Sequence, residues 1–149
     1  ITEGDFSVSV WAKSTGPFNR PTAISQGNPA QWPDELFILY IGDEKDGSQQ
    51  AHVWWEETAL TTPIPTDGAY HHYTLTKDGD TLTLYIDGAE AETATTNGNT
   101  WVSNSTTIGA ANRDGTQMQY YNGGLDDVRI YNKVLTDDEA NRLYNVGAI

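Results

Sequence analysis

The stretch Gly123-Gly124-Leu125-Asp126-Asp127-Val128-Arg129-Ile130-Tyr131-Asn132-Lys133-Val134-Leu135-Thr136 decides the fold of this chain of 149 residues. Apolar Val128 and Ile130 alternate with polar neighbours, which is the period of a strand that has one buried face. Two glycines stand at the start of the stretch and polar residues at its end. The pattern predicts a strand over 120–131 that closes a sheet.

A short helix is predicted directly after this strand. Thr136 stands three residues before Glu139, the spacing at which a threonine caps the first-turn amides and a glutamate reaches back. Strand signals fill the rest of the chain and recur about every 8–15 residues, separated by clusters of Gly, Pro, Asn and Asp. The sequence therefore predicts an all-β protein with one short C-terminal helix, over 136–145.

Two further blocks support this interpretation. Gly4-Asp5-Phe6-Ser7-Val8-Ser9-Val10-Trp11-Ala12 alternates as a strand does, and the block over 70–88 predicts two strands joined by a hairpin turn at Gly79. Other strands are predicted over 36–41, 49–57 and 106–109. The rows predicted to face the core are Phe6, Val8 and Val10; Val53 and Trp55; Tyr73 and Leu75; Leu82, Leu84 and Ile86; and Val128 and Ile130.

In sequence and in order, the three blocks resemble laminin G-like domains of the concanavalin A-like jelly-roll family. The resemblance implies a jelly-roll sandwich of two antiparallel sheets, formed by residues 1–149 as a single domain. In this family a strand usually precedes the block that begins at Gly4, and it pairs beside the closing strand. The chain has no room for that strand, so either the sequence starts inside the domain or another segment takes that edge of the sheet. Because residue 1 is Ile rather than an initiator Met, we expect the chain to be a piece of a longer protein.

The composition excludes several classes of partner. With 8 basic against 21 acidic residues the net charge is −13, which argues against binding to nucleic acid or to anionic membrane surfaces. The chain has no Cys, so thiol chemistry is excluded. No apolar run approaches the roughly 20 residues of a membrane helix, so we expect no membrane insertion. Few lysines with many Thr, Asn, Gly and Asp residues suit a secreted or cell-surface β-protein.

The catalytic motifs of enzymes with this fold are absent from the sequence or occur in it only in part. Retaining glucanases of this fold carry Glu-x-Asp-x-x-Glu on one strand, which places an acid and a nucleophile on one face, and this spacing does not occur here. Gln50-Ala51-His52 matches the Gln-x-His strand of jelly-roll alginate lyases, but their Arg-x-Glu-Leu and Tyr-rich strands are absent. We therefore expect a domain that is not an enzyme. A lyase or hydrolase built around His52 or His71 is the alternative.

Aromatic residues predict a sugar-binding site. Sugar recognition needs flat apolar surfaces against the CH faces of pyranose rings and fixed polar groups for the hydroxyls. Trp54 and Trp55 are neighbours on one predicted strand, so they face opposite ways, and Trp55 shares the core side with Val53. For tryptophans in loops the alternative role is to plug the core, and for arginines it is a solvated surface charge. The predicted ligand-binding residues are Gln50, His52 and Trp54 on the strand, with Trp32, Trp101, Arg20 and Arg113 reaching in from loops.

The family resemblance also implies one structural calcium ion near the closing strand. The matching positions are Asp126 and Asp127. Calcium prefers six to eight oxygen ligands, so backbone carbonyls and water would have to complete the site. Because adjacent strand residues face opposite ways, we expect at most one of the two side chains to ligate the ion.

The leading hypothesis is a non-catalytic carbohydrate-binding module of a secreted polysaccharide-degrading enzyme. Such a module binds a polysaccharide or oligosaccharide and is covalently linked to a catalytic domain. The hypothesis rests on the resemblance, on the missing catalytic spacing and on the surface that carries Trp54. The alternative from another class is an adhesion or interaction domain of a bacterial surface protein, for which an exposed apolar patch without an aromatic platform would be the indication.

Overall fold

The computed structural model describes residues 4–15, 20–27, 35–43, 48–55, 58–96, 105–113 and 116–147. For Glu35, Leu36, Asp43, Trp55, Thr58, Ala59 and Arg113 it describes the backbone alone. These described residues form twelve strands and one helix: β1 (Phe6–Ser14), β2 (Thr22–Gly27), β3 (Glu35–Asp43), β4 (Gln49–Trp55), β5 (Thr58–Pro63), β6 (His71–Asp78), β7 (Thr81–Ile86), β8 (Ala89–Thr95), β9 (Ser105–Ile108), β10 (Ala111–Arg113), β11 (Thr116–Met118), β12 (Gly123–Tyr131) and α1 (Asp137–Gly147).

Two five-stranded antiparallel sheets form the sandwich that the sequence predicts. The first sheet has the order β12-β1-β6-β7-β8, and the second has the order β5-β4-β3-β2-β9. The short strands β10 and β11 pair with each other as a separate hairpin. The all-β class, the two-sheet architecture and the single C-terminal helix of the prediction are confirmed for the described residues.

The core lies between the sheets and consists of alternate residues of the central strands. Phe6, Val8 and Val10 of β1 are at most 1% exposed, and the rows of β6 and β7 meet them from the same sheet. The second sheet contributes residues such as Leu39 and Val53, both fully buried. The predicted core rows of β1, β6 and β7 are confirmed, although Ile86 at the end of β7 is only partly buried. The side chain of Trp55 lies outside the described residues.

The closing strand β12 departs from the prediction. It begins at Gly123 rather than at residue 120, and it lies at the edge of the first sheet. Asp127 and Val128 together lie opposite Val10, so the strand bulges there, and Asp127 has a φ of 48°. Val128 packs against the core but is partly exposed. The assignment of Ile130 to the core is wrong, because its side chain is 44% exposed: it lies opposite Val8, but an edge strand is covered from one side only.

Helix α1 covers the outer face of the first sheet. The capping box is confirmed, because Glu139 N–H donates to Thr136 Oγ1 at 3.3 Å and Thr136 N–H donates to the Glu139 carboxylate at 3.0 Å. Tyr85 donates its hydroxyl to Asp137 of the first turn at 2.7 Å, and Tyr144 of the last turn stacks on a sheet residue, Trp11. The outer face of the second sheet carries no such helix among the described residues. No helix in this part of the chain has the length and apolar character needed to cross a membrane.

Candidate functional site

The face of β4 that points away from the core carries three of the predicted binding residues. Ala51 and Val53 are fully buried in the core, so the alternate residues Gln50, His52 and Trp54 lie on the opposite side. Trp54 is 36% exposed. The prediction that Trp54 shares an outer, partly exposed face with His52 and Gln50 agrees with this geometry. We call the set Gln50, His52 and Trp54 the Trp54 face.

Stacked rings hold Trp54 in place. The His52 ring lies 6.1 Å from the Trp54 ring at an interplanar angle of 24°. The His52 ring also packs perpendicular to the ring of Tyr40, with centroids 5.6 Å apart and planes at 88°. Thr61 Oγ1 lies 3.5 Å from His52 Nδ1. His52 is therefore a buried spacer, 8% exposed, that fixes the orientation of the more exposed indole.

Tyr40 was not predicted to be part of the site, and the pairing of strands brings it there. It lies directly opposite His52 on β3, and its hydroxyl donates to Gln119 Oε1 at 3.3 Å. The guanidinium carbon of Arg20 lies 5.9 Å from the Tyr40 ring centroid, at cation–π distance. Tyr40 itself is only 2% exposed. It therefore acts as a buried brace that joins Arg20 and Gln119 to the Trp54 face.

Arg20 and Gln119 are both held in left-handed backbone conformations. Their φ angles are 57° and 52°, a region that non-glycine residues rarely adopt and that is often found at functional sites. The backbone carbonyl of Gln119 accepts a hydrogen bond of 2.9 Å from Thr22 N–H, which anchors this conformation to β2. For Tyr40 the sequence holds only a partial signal: a tyrosine inside an apolar run needs a partner for its hydroxyl, but the pattern does not show which residue supplies it or that the ring lies next to His52.

The β10–β11 hairpin covers one part of the same sheet face. Ile38 and Ala111 are fully buried, and Met118 of the hairpin packs against them. Ser25 donates to the backbone carbonyl of Ala110 at 3.0 Å, which holds the chain leading into the hairpin close to β2. The hairpin therefore packs on the outer face of the second sheet next to Tyr40, the residue that lies opposite His52.

The remaining predicted binding residues are placed as follows. Gln50 is half-buried and donates to Ser48 Oγ at 2.6 Å, which fixes its amide at one end of the face. Arg113 ends β10, and only its backbone is described. Trp32 and Trp101 lie outside the described residues. The structure thus places Arg20, Gln50, His52 and Trp54 on one side of the second sheet, whereas the side chains of Trp32, Trp101 and Arg113 lie outside the described residues. A ligand-binding role for any of the seven residues stays a prediction.

Asp126 and Asp127, the predicted calcium ligands, lie at the bulge of β12. Both carboxylate oxygens of Asp127 accept hydrogen bonds from Arg129, at 2.8 and 2.7 Å, and Asp126 accepts the backbone N–H of Asp127 at 2.8 Å. No group of three or more His, Asp or Glu side chains among the described residues is placed to hold a metal ion. The arrangement fits a calcium ion poorly, because Asp127 would first have to release a bidentate arginine. Calcium at this position stays a prediction.

His71, which the catalytic alternative invoked, is paired on both ring nitrogens. Nδ1 lies 2.6 Å from Asp87 Oδ2, and Nε2 lies 2.9 Å from Asp67 Oδ1. Carboxylates only accept, so this pairing requires a proton on each nitrogen. Burial is the largest single influence and lowers the pKa of His71, but the hydrogen bonds to Asp67 and Asp87 outweigh it and raise the pKa overall. A charged ring with both nitrogens occupied is poorly suited to act as a general base.

Sequence comparison identifies the family. Residues 1–141 match a laminin G-type family described as the concanavalin A-like lectin/glucanases superfamily. The chain belongs to this family. No curated protein matches the chain in sequence.

Solved structures with the same fold include modules of glycan-degrading enzymes. A CBM40 domain of the Ruminococcus gnavus IT-sialidase, bound to α2,3-sialyllactose, has a TM-score of 0.80 and 18% identity, covering 96% of this chain and 84% of that chain. Domain 4 of AbnA, an extracellular GH43 arabinanase from Geobacillus stearothermophilus, in complex with arabinotriose, has a TM-score of 0.67 and 22% identity, covering 97% and 68%. A heptameric SAP-like pentraxin from Limulus polyphemus has a TM-score of 0.71 and 17% identity, covering 97% and 73%. At these identities the likeness establishes the fold alone.

Proposed function

We propose that this domain is a non-catalytic carbohydrate-binding module and that it binds an oligosaccharide or polysaccharide on the Trp54 face. The observation that carries the proposal is the partly exposed indole of Trp54, which His52 holds in a fixed orientation at a ring distance of 6.1 Å. A tryptophan that is already oriented covers the CH face of a sugar ring with little loss of side-chain entropy on binding.

Polar groups around the indole suit the second requirement, which is to recognise hydroxyl groups. Gln50 stands two residues from His52 on the same side of β4, and its amide is already held by Ser48. Thr61 is exposed on the neighbouring strand, directly opposite His52. Arg20 adds donors at the Tyr40 end. A glycan lying across β4 would therefore meet a flat apolar surface between directional donors and acceptors.

Solved structures with the same fold support the proposal that this domain binds a carbohydrate, and they point to the kind of protein that it belongs to. A CBM40 domain of a sialidase binds sialyllactose, and a domain of an arabinanase binds arabinotriose, on the same fold. We propose by analogy that this domain is likewise part of a secreted enzyme and directs an attached catalytic domain to its polysaccharide. The adhesion alternative is less well supported, because the exposed face of the second sheet carries an aromatic platform.

A glycan array followed by affinity electrophoresis tests the proposal. Trp54→Ala should abolish retardation by the polysaccharide identified on the array, because the stacking surface is lost. Ile130→Thr is the matched control: it removes a side chain that is 44% exposed on the other sheet and should leave retardation unchanged. If the glycan is neutral, retardation should also be nearly independent of salt, since few charges are neutralised.

The possible outcomes separate the site from the function. A Trp54→Ala variant that keeps its near-UV circular dichroism and still binds would move the site to the loop edge around Trp32 and Trp101. A domain that binds nothing on a broad array of neutral and acidic glycans would contradict the function itself. Release of new reducing ends or unsaturated sugars from the bound polysaccharide would favour the enzyme alternative.

A further inference from the structure

A cavity lies on the outer face of the first sheet, on the opposite side of the sandwich from the Trp54 face. Its volume is about 770 Å³, which is within the range of about 300–1,000 Å³ typical of small-molecule sites. Trp11 forms part of its wall and points away from the core, since its neighbours Val10 and Ala12 are buried between the sheets. We propose that this outer cavity is a second binding site, which accepts a neutral sugar unit.

The aromatic platform of the outer cavity is Tyr70. Tyr70 is 47% exposed and lines the cavity. A Cβ atom added at Gly124 would lie 1.8 Å from the Tyr70 hydroxyl, so the tyrosine occupies the space that any other residue at position 124 would fill. This contact ties the end of the ring to β12 while much of the ring stays accessible. The exposed ring is therefore positioned before any ligand arrives.

The rear wall is built from rings that pack against one another. Trp11 stacks on Tyr144 of α1 with centroids 5.7 Å apart and an interplanar angle of 28°. Gly147 ends the helix beside the Trp11 indole, and a Cβ atom there would lie 2.4 Å from the indole nitrogen. That nitrogen is buried and makes no hydrogen bond to any described residue. The wall is rigid and includes a donor for which the described part of the protein supplies no acceptor.

Charged groups border the platform in a fixed arrangement. The Arg129 guanidinium donates to both carboxylate oxygens of Asp127, at 2.8 and 2.7 Å. Asp126 uses one carboxylate oxygen to accept Asp127 N–H at 2.8 Å, and its other oxygen makes no hydrogen bond within the described residues. An arginine beside a carboxylate offers donors and acceptors at the spacing of neighbouring sugar hydroxyls.

The charge balance of the outer cavity selects a neutral ligand. Asp87, Asp126 and Asp127 line it against the cations of Arg129 and His71, and the whole chain carries a net charge of −13. An anionic sugar would meet this excess of carboxylates. A metal ion would compete with His71 for Asp87 and with Arg129 for Asp127. A neutral sugar needs neither exchange, because a hydroxyl can donate to the open oxygen of Asp126 while a CH face of the ring packs against Tyr70.

Two sites on opposite faces would make the domain bivalent. The choice of a sugar as ligand rests on the proposed function, whereas the cavity itself does not depend on the Trp54 face. A bivalent module can hold two chains, or two parts of one chain, so that the second contact forms at a high effective concentration.

Nuclear magnetic resonance titration of the ¹⁵N-labelled domain tests the proposal. Lactose, cellobiose, maltose and N-acetyllactosamine would each be added up to saturation or to the limit of solubility. At least one should shift the amide signals of Tyr70, Asp126 and Val146, separately from the signals of β4. Tyr70→Ala and Asp126→Ala should each weaken binding at the cavity by about tenfold. Gly124→Ala should weaken it as well, by displacing the Tyr70 ring.

Controls distinguish this proposal from the first one. Ile108→Thr changes a side chain that is 55% exposed on the second sheet and should leave cavity binding unchanged. Trp54→Ala should abolish the shifts on β4 alone. The outer cavity is refuted if none of the four sugars shifts its signals, or if those shifts persist unchanged in a folded Tyr70→Ala variant. Shifts at the cavity with none on β4, for any glycan that binds, would contradict the Trp54 face instead.

Discussion

Acidification from about pH 7 to about pH 5 should destabilise this domain through one side chain, His72. His72 is 3% exposed, and its ring lies 5.2 Å from Trp11 beneath the helix. Burial, the largest influence, lowers the pKa of His72 from 6.5 to about 4, with Asp87 and Asp127 acting in the opposite direction. The folded protein therefore holds this imidazole neutral at a pH where an exposed histidine is charged.

The direction in which the free energy of unfolding changes follows from which state of the chain, folded or unfolded, binds the proton. As the pH falls from 6.5 towards 4, the unfolded chain binds a proton on His72, whereas the folded chain keeps this ring neutral. The free energy of unfolding therefore decreases. The two pKa values give a loss of about 2 kcal/mol by about pH 5 and about 3 kcal/mol by about pH 4. His71 acts in the other direction and in another window. Its raised pKa contributes stability that is present below its unfolded pKa and is lost as the pH rises through the folded value.

Urea unfolding of the wild type and of His72→Asn across this pH range would measure the effect. The net charge of −13 and the many carboxylates alter both proteins alike, so the difference between the two curves isolates His72. That difference should change by about 2 kcal/mol between about pH 7 and about pH 5. Parallel curves, or a His72 ring signal that titrates near its usual pKa, would refute the reasoning.

Three further outcomes are expected. Leu84→Ala should lower the free energy of unfolding by about 2–5 kcal/mol in urea titration, because Leu84 is fully buried opposite Leu75; a loss below about 0.5 kcal/mol would contradict this packing. Thr136→Ala should cost about 1 kcal/mol through loss of the helix cap, and Thr136→Ser, which keeps the hydroxyl, should cost less. If Asp126 or Asp127 ligates the predicted calcium ion, a chelator should lower the melting temperature and added calcium should restore it; an unchanged melting temperature would contradict the ion and agree with the pairing of Asp127 with Arg129.

The sequence predicted the central strands well because their core-facing residues are apolar and most of the residues between them are polar, although the outward-facing residues of β1 and β6 are largely buried as well. β1, β6 and β7 each have sheet neighbours on both sides, so their alternate residues face the core without interruption. β2 and β8 lack this pattern. Every residue of β2 is buried, including Gln26, whose amide donates to Thr106 at 2.7 Å. β8 is mostly exposed and is rich in Glu, Thr and Ala. Neither of these two strands therefore shows the alternation of large apolar and polar side chains by which a strand can be recognised.

The error at Ile130 has a different cause. Alternation correctly placed Ile130 on the core-facing side, where it lies opposite Val8. Whether a core-facing residue is covered depends on the position of its strand in the sheet, and β12 is at the edge. The bulge at Asp127, with its φ of 48°, further alters the strand just before this residue. The two-residue alternation along a strand determines which face of the sheet a side chain lies on, whereas the position of the strand in the sheet determines how far that side chain is buried.

The candidate site shows the same division between what a single strand determines and what the sheet adds. Trp54, His52 and Gln50 could be grouped from the sequence because they share one strand. Tyr40 could not, because its place opposite His52 depends on the register between β3 and β4. Gln119 reaches Tyr40 from 79 residues further along the chain. The orientation of Trp54 therefore depends on His52, which the strand pattern connects to it, and through His52 on Tyr40 and Gln119, which no local pattern connects to it. A binding surface of this kind is a property of strand order and register, which is why its stacking residue could be predicted from the sequence but the brace behind it could not.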